Sequence, residues 1–257
     1  MEDGFQHRVR RANESDGLGR HPLQSLATQA LLHLAARKSV REAEPDIRFL
    51  NELCEAVCDP MQSRKTRVVE KMLGMGISRD TIVEVYCAEA ARRLGEGWCD
   101  DTHGFAEVSI GSARLQGLVR AMGADLTRGN SDKKNGVGVL VLVRGDEQHT
   151  LGALILTYKL RRRGLSVRLV VGRSDADVMN VLKYSKYDAV LLSVSNVEKL
   201  AKLPDFVGNI KKVGGRDIPV IVGGTVLAAD EKGLAGKTGA DFATNDIDAV
   251  LRVCSIR

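Results

Sequence analysis

The sequence is poor in aromatic residues, which together make up 4% of its 257 residues and include a single tryptophan. Proteins that hold single-stranded nucleic acids usually stack the bases on such side chains, so this scarcity argues against an RNA- or single-stranded-DNA-binding protein. The formal net charge is only +5, and it is not concentrated in one long basic run. The charge therefore does not require a nucleic-acid partner.

The chain also lacks the cysteine pattern of a disulfide framework or a structural zinc site. It has five cysteines, an odd number, and none of them form a CxxC pair. No apolar run approaches the roughly 18 residues of a membrane-spanning helix, and the N-terminal segment has no apolar signal core. These absences predict a cytoplasmic protein in a reducing compartment.

Hydrophobic periodicity divides the chain into three parts. Residues 1–44 are mostly polar and aperiodic, and they predict a flexible arm with one possible helix at about 23–37. Residues 45–130 carry apolar side chains at helical spacing in four segments, which is typical of a helical bundle. A polar stretch at 128–136 then separates this bundle from the remainder, residues 131–257.

Residues 131–257 have the sequence pattern of an α/β domain. Continuous apolar runs of strand length, such as 137–143, alternate with helical segments, and this is the pattern of strands that are covered on both faces. Five strands alternating with five helices predict a doubly wound, Rossmann- or flavodoxin-like parallel sheet. The predicted fold class is thus α/β plus all-α, and ligands of such sheets bind beyond the carboxyl ends of the strands.

The loop after the first predicted strand contains Glu147, His149 and Gly152. A carboxylate two residues before a histidine can orient the imidazole and raise its basicity, as the outer-shell partners of metal ligands do. The glycine would let a bulky group pass close to the following helix. Taken alone, this short pattern more often describes a solvated loop histidine.

Two further loops reach the same edge of the predicted sheet. Ser193 and Ser195 follow the third strand, and Gly223, Gly224 and Thr225 follow the fourth. The serines place hydroxyl groups at the mouth of the crevice, and the paired glycines allow a ligand to approach the backbone. The serines and the glycines each also fit an ordinary turn. They indicate a ligand site only because both loops reach the same edge of the sheet.

The three loops together resemble the cobalamin-binding domain of methionine synthase, methylmalonyl-CoA mutase and corrinoid photoreceptors. The matching elements are Glu147-x-His149-x-x-Gly152, Ser193-x-Ser195 and Gly223-Gly224, within a resemblance that covers about 137–253. The resemblance implies that His149 replaces the dimethylbenzimidazole of cobalamin as the lower cobalt ligand. Enzymes of this family carry aspartate where Glu147 stands, a departure that puts methyl transfer in doubt and favours a sensor.

The bundle contains a second, more specific motif. This motif resembles the signature of the AerR/PpaA antirepressors of photosynthesis genes in purple bacteria. It reads Trp98-x-x-Asp101-x-x-x-Phe105-x-x-Val108 and is followed by Arg114-Leu115-Gln116. The resemblance adds these four residues to the cofactor site, where the flat face of Trp98 could cap a planar macrocycle.

The same resemblance implies a light-linked antirepressor with no enzymatic activity. It would bind the hydroxo- or aquocobalamin that forms when light cleaves adenosylcobalamin, and its partner would be a repressor of the CrtJ/PpsR type. No helix-turn-helix precedes the bundle, so any contact with nucleic acid is expected only through that partner. No membrane partner is expected, and the oligomeric state stays open.

The upper cobalt ligand and the choice of metal stay open at this point. Related photoreceptors often have histidine after the tryptophan, whereas this chain has Cys99. An upper protein ligand would therefore be His7, His21, His33 or His103, unless solvent fills the position. Heme is an alternative cofactor, because one axial histidine at a planar tetrapyrrole site does not select cobalt over iron.

Two other functions compete with the antirepressor interpretation. A corrinoid carrier subunit of a methyltransferase system would share the domain order, but aspartate at position 147 and absence of the Trp98 signature would be expected. A receiver-like signalling domain needs paired acids after the first strand, which Asp146 and Glu147 supply. It also needs a lysine after the last strand, and the segment 243–246 offers none.

Overall fold

The computed structural model describes residues 44–126, 136–145, 147, 149–228 and 233–255. Residues Pro45–Arg257 form one compact unit. The helix predicted at 23–37 lies outside the described residues, as do His7, His21, His33 and Asp146.

In the described residues 44–122, the first part of this unit contains four helices, as the sequence predicts. They are α1 (Ile47–Cys58), α2 (Gln62–Gly74), α3, which runs from Arg79–Thr81 through the π-helical Ile82–Tyr86 into Cys87–Cys99, and α4 (Phe105–Met122). The side chain of Ser78 accepts a hydrogen bond from the Thr81 amide and caps the start of α3. Asp46 caps α1 in the same way, by accepting the Arg48 amide hydrogen.

The last bundle helix begins later than the periodicity predicts. The sequence pattern extends this helix back to about residue 101, whereas α4 starts at Phe105. The reason is a turn at 100–104 in which Asp101 takes a left-handed conformation with φ 60° and the Asp100 carboxylate accepts the Thr102 amide hydrogen. This turn joins the end of α3 to the start of α4.

The second part of the unit is a five-stranded, all-parallel sheet. Its strands are β1 (Gly138–Arg144), β2 (Ser166–Arg173), β3 (Ala189–Ser193), β4 (Val220–Gly223) and β5 (Phe242–Ala243). They lie in the order β2-β1-β3-β4-β5, which is the flavodoxin-like arrangement of a doubly wound sheet. The predicted fold class is confirmed, and β1 is buried along its whole middle because helices cover both faces.

Five helices connect and cover these strands: α5 (Leu151–Arg162), α6 (Asp175–Tyr184), α7 (Leu203–Gly214), α8 (Leu234–Thr238) and α9 (Ile247–Ser255). Short 3-10 segments, Val197–Lys202 and Thr225–Ala228, follow β3 and β4. Within the described ranges, no helix is both long and apolar enough to cross a membrane. The register pairs Val143 with Ser193 and Ser193 with Gly223, so the loops after β1, β3 and β4 leave the sheet side by side.

Helix α5 is shared between the bundle and the sheet. Leu154 and Tyr158 belong to the bundle core, whereas Ala153 and Leu160 belong to the core under the sheet. The Tyr158 hydroxyl donates a hydrogen bond of 2.6 Å to Asp80 of α3, and Arg162 forms an ion pair with the same carboxylate. The helix that begins directly after the His149 loop is thus packed against both parts of the molecule.

Candidate functional site

Glu147 is the buried centre of the loop after β1, and its side chain is only 2% exposed. The Ser195 hydroxyl lies 2.7 Å from each carboxylate oxygen, and the Ser195 amide donates to Oε2 at 2.9 Å. The His149 amide donates to Oε1 at 3.0 Å. The Lys199 ammonium lies 3.3 Å from Oε2. Donors from the loops after β1 and β3 therefore converge on one carboxylate.

These donors keep Glu147 ionised. Burial alone would raise the pKa of this carboxyl group, but the hydrogen bonds from Ser195 and His149 outweigh it and lower the pKa from 4.5 to about 2. An ionised carboxylate can only accept hydrogen bonds. Near neutral pH, every polar neighbour of Glu147 must therefore present a hydrogen to it.

The imidazole of His149 is oriented by this carboxylate. Its Nδ1 lies 3.1 Å from Glu147 Oε1, and because the carboxylate only accepts, Nδ1 carries the hydrogen. In the neutral imidazole with this tautomer, the other ring nitrogen, Nε2, has a lone pair that can bind a metal. The side chain is 76% exposed, so the imidazole is tethered on one side and accessible to a ligand.

The surroundings of His149 favour a metal that brings most of its own ligands. Within the described residues, no group of three or more His, Cys, Asp or Glu side chains could hold a metal ion. The described side chains around His149 therefore do not form the set of three or more protein ligands that would hold a bare ion. A tetrapyrrole or corrinoid metal fits, because its macrocycle supplies the equatorial ligands and a single histidine supplies an axial one.

Gly152 leaves open space at the start of α5. Apart from its chain neighbours and the backbone of its own helix, no described atom lies within 4 Å of a Cβ built on this residue, and its φ is not among the positive values. Neither packing nor backbone conformation within the described residues thus explains the glycine. The passage of a bulky group beside this helix stays a prediction.

The glycine pair after β4 has a different structural explanation. Gly224 has a φ of 114°, and a Cβ there would lie 2.3 Å from the Val194 carbonyl oxygen. A Cβ on Gly223 would lie 2.9 Å from the Thr244 carbonyl oxygen. The close approach of neighbouring backbone segments therefore accounts for both glycines, and contact between this pair and a cofactor stays a prediction.

The remaining hydroxyl residues of the predicted site link the loops after β3 and β4. Thr225 donates from Oγ1 to the Ser195 carbonyl oxygen at 3.0 Å, and Ser193 ends β3 in register with Gly223. Asn245 accepts the Gly224 amide hydrogen at 2.7 Å. Sequence reasoning missed Asn245 and Lys199. For Lys199, its position four residues after Ser195, in a short helical segment, was the available signal.

Trp98 and Phe105 form an exposed aromatic pair at the end of the bundle. Their ring centroids lie 6.3 Å apart at an interplanar angle of 60°, and the residues are 52% and 73% exposed. Exposing two large aromatic rings together is unfavourable in water, so this pair is suited to covering an apolar or planar ligand.

The other residues of the bundle motif have different positions. Asp101 lies in the turn between α3 and α4, and Val108 is half-buried against the bundle core. Cys99 is exposed directly after Trp98. The structure thus brings Trp98 and Phe105 together, while Val108 packs against the bundle core.

His103 is the one predicted candidate for an upper ligand that falls within the described residues. Its backbone amide donates to the Gly97 carbonyl oxygen at 2.8 Å, and its Nδ1 lies 3.6 Å from Glu107 Oε2. A Cβ on Gly97 would lie 2.2 Å from the imidazole. The imidazole ring of His103 therefore packs over the end of α3 at Gly97, the residue that precedes Trp98 in the sequence.

Comparison with known proteins matches both parts of the chain. Residues 137–249 match the model of the B12 binding domain family. The chain is 36% identical over 171 residues to an uncharacterised 20.5 kDa protein of Rhodobacter capsulatus, encoded in the bchF–crtJ intergenic region. That alignment covers 66% of this chain and 88% of the relative.

Among solved structures, the monomethylamine corrinoid protein of Methanosarcina barkeri is similar with a TM-score of 0.62 and 16% identity. The match covers 80% of this chain and 96% of that one. At this identity the likeness shows the fold alone, and it extends over more of the chain than the sheet domain.

Proposed function

The chain belongs to the family of the Rhodobacter capsulatus bchF–crtJ intergenic protein and carries a B12-binding domain, and from this premise we propose that it is a light-linked, cobalamin-binding antirepressor. The family assignment to the AerR/PpaA proteins that the sequence predicts is confirmed. The observation that carries the proposal is the Glu147–His149 pair, in which a buried carboxylate orients an exposed imidazole.

His149 would hold the cobalt from below through Nε2. When bound, the corrinoid would supply a metal centre with an exchangeable upper ligand. The Glu147 carboxylate would accept the Nδ1 hydrogen and so hold the imidazole in a fixed orientation. The open space beside Gly152 would receive the nucleotide tail of the cofactor.

Trp98 and Phe105 would cover the opposite face of the macrocycle. A ligand that contacts the bundle through these rings and the sheet domain through His149 favours the arrangement in which both contacts are made. Helix α5, which packs against both parts, would report this arrangement to the rest of the molecule. Cofactor binding would in this way alter the surface that a partner meets.

The partner we propose is a repressor of the CrtJ/PpsR type. The relative is encoded beside crtJ, which supports a shared role in regulating photosynthesis genes. The protein would act without catalysing a reaction, and it would reach DNA only through the repressor. Glu147 in place of the aspartate of the family's enzymes supports regulation over methyl transfer.

Visible spectra after gel filtration test this function. The purified protein is incubated with hydroxocobalamin, with adenosylcobalamin in darkness and in light, and with hemin. We expect a retained corrinoid spectrum from hydroxocobalamin and from illuminated adenosylcobalamin, and relief of repressor binding to DNA only by the loaded protein. A Soret band without retained corrinoid would replace cobalt with heme, and no effect on the repressor would contradict the antirepressor role.

Replacing Trp98 with alanine is expected to weaken cobalamin retention by about three- to tenfold, because one aromatic cover of the macrocycle is lost. The lower ligand stays in place, so the visible spectrum of the bound cofactor should not change. Tyr184→Ala removes an aromatic ring from α6 that is even more exposed, at 78%, and serves as the control. Equal retention in both variants would remove Trp98 from the site.

Gly152→Val should leave folding nearly unchanged but lower hydroxocobalamin affinity by about tenfold or more, since its side chain would fill the space beside α5. Gly208→Val, at another exposed helical glycine whose built Cβ meets no other part of the chain within 4 Å, controls for helix propensity.

Gly224→Val should instead destabilise the fold by more than about 2 kcal/mol, because of the Val194 contact and the positive φ. Thermal melts and cofactor titrations measure both effects, and normal affinity in Gly152→Val would show that the space is unused.

A further inference from the structure

Lys199 brings a positive charge to the carboxylate that orients His149. The two oxygens of Glu147 divide their partners: Oε1 faces His149 Nδ1 at 3.1 Å, and Oε2 faces the Lys199 ammonium at 3.3 Å. Because the Glu147 side chain is 2% exposed, water screens this pair poorly and the charges interact more strongly than at a surface. Lys199 lies in the 3-10 segment Val197–Lys202 after β3.

The position of Glu147 does not depend on Lys199. The Ser195 amide and hydroxyl and the His149 amide already hold the carboxylate through hydrogen bonds of 2.7 to 3.0 Å. The Lys199 contact is longer, at 3.3 Å, and what it adds is charge. Its effect on His149 is therefore separable from the geometry of the loop.

A carboxylate at Nδ1 draws the hydrogen away from the imidazole and makes Nε2 a stronger donor. A cation on the other oxygen opposes this, because it attracts the same negative charge. We propose that Lys199 is a positioning residue that acts through Glu147 to limit the donor strength of His149, so that the lower cobalt ligand stays exchangeable. This inference rests on the proposed function of His149 as the axial ligand.

The test compares three variants loaded with hydroxocobalamin. Lys199→Met removes the charge and keeps most of the stem, Lys199→Gln keeps a hydrogen-bond donor without charge, and Lys199→Arg keeps the charge. Lys202→Met, at an exposed lysine of the same 3-10 segment, is the matched control. The readouts are the visible bands of the bound cofactor and its release rate into excess competing binding protein.

We expect Lys199→Met and Lys199→Gln to shift the visible bands and to slow cofactor release by about threefold or more. Lys199→Arg and Lys202→Met should match the wild type in both readouts. The inference is overturned if the neutral variants keep the wild-type spectrum, or if they release the cofactor faster together with a lowered melting temperature. The first result would show that Lys199 does not act on the imidazole, and the second would assign Lys199 a structural role.

A parallel His149→Ala sample separates this inference from the function on which it rests. If His149→Ala retains cobalamin as the wild type does, the axial assignment itself fails. If His149→Ala loses the cofactor while the Lys199 variants are unchanged, the axial assignment stands and the role of Lys199 alone is contradicted.

Discussion

His149→Ala is expected to lose cobalamin on gel filtration, with an affinity at least about a hundredfold below that of the wild type. The reason is that no described cluster of His, Cys, Asp or Glu side chains could take over the metal. The methyl group of alanine offers no lone pair, and the cobalt would have to keep its own benzimidazole or water. Folding should be unaffected, because the His149 side chain is mostly exposed.

Spectral titration with hydroxocobalamin measures this loss, and His103→Ala is the matched control. His103 is likewise a histidine paired with a glutamate, at 3.6 Å from Glu107, but it lies in the bundle turn. We expect His103→Ala to keep the lower-ligand spectrum. Full retention by His149→Ala would contradict the axial assignment and return the imidazole to the role of an ordinary surface residue.

Glu147→Gln is expected to have the second largest effect, because it damages both the fold and the site. The amide oxygen can accept hydrogen bonds, but the amide nitrogen would face donors from Ser195 or His149 on the other side. The Lys199 ammonium would also lose its counter-charge. We expect a loss of about 2 to 4 kcal/mol in unfolding free energy and a drop of about ten- to a hundredfold in cobalamin affinity.

Urea unfolding and cofactor titration measure these two effects. Glu198→Gln, at an exposed glutamate of the neighbouring 3-10 segment, should leave both close to wild type. Wild-type stability in Glu147→Gln would contradict the view that the converging donors require a charged carboxylate.

The stability of the folded protein should also depend on pH through the ionisation of Glu147. Folding lowers the pKa of Glu147 from its ordinary 4.5 to about 2, so the folded state favours the ionised form. The resulting stabilisation is complete above the ordinary value and is lost as the pH falls through the range from 4.5 to about 2. The stability difference between wild type and Glu147→Gln should therefore shrink as the pH is lowered through this range, and a constant difference would contradict the assignment.

The sheet domain could be predicted because its sequence signals are strong. β1 is an apolar run buried throughout its middle, and a strand covered on both faces shows this pattern directly. β5 has only two residues, and the alternation of strand-like and helical segments is what predicts a strand there. The start of α4 could not be predicted, because the apolar spacing continues through a turn that Asp101 makes with a left-handed backbone.

The site was predictable where its residues are neighbours in sequence. Glu147 and His149 are two residues apart, so their contact follows from a single loop. The contacts of Lys199 and Asn245 join loops that are far apart in sequence. Short-range spacing in the sequence does not predict such contacts. The double role of α5 was also hidden, since an apolar helix does not reveal which face meets the bundle and which the sheet.

The most direct test of the account is an electron paramagnetic resonance spectrum of the protein-bound cob(II)alamin, recorded with protein whose histidines carry nitrogen-15. A nitrogen below the cobalt splits each line into three when it is the common isotope and into two when it is nitrogen-15. Ligation by His149 predicts doublets in the labelled protein, triplets in the unlabelled protein, and no doublets in labelled His149→Ala. Triplets in the labelled protein would show that the cofactor keeps its own benzimidazole, and would contradict the central claim.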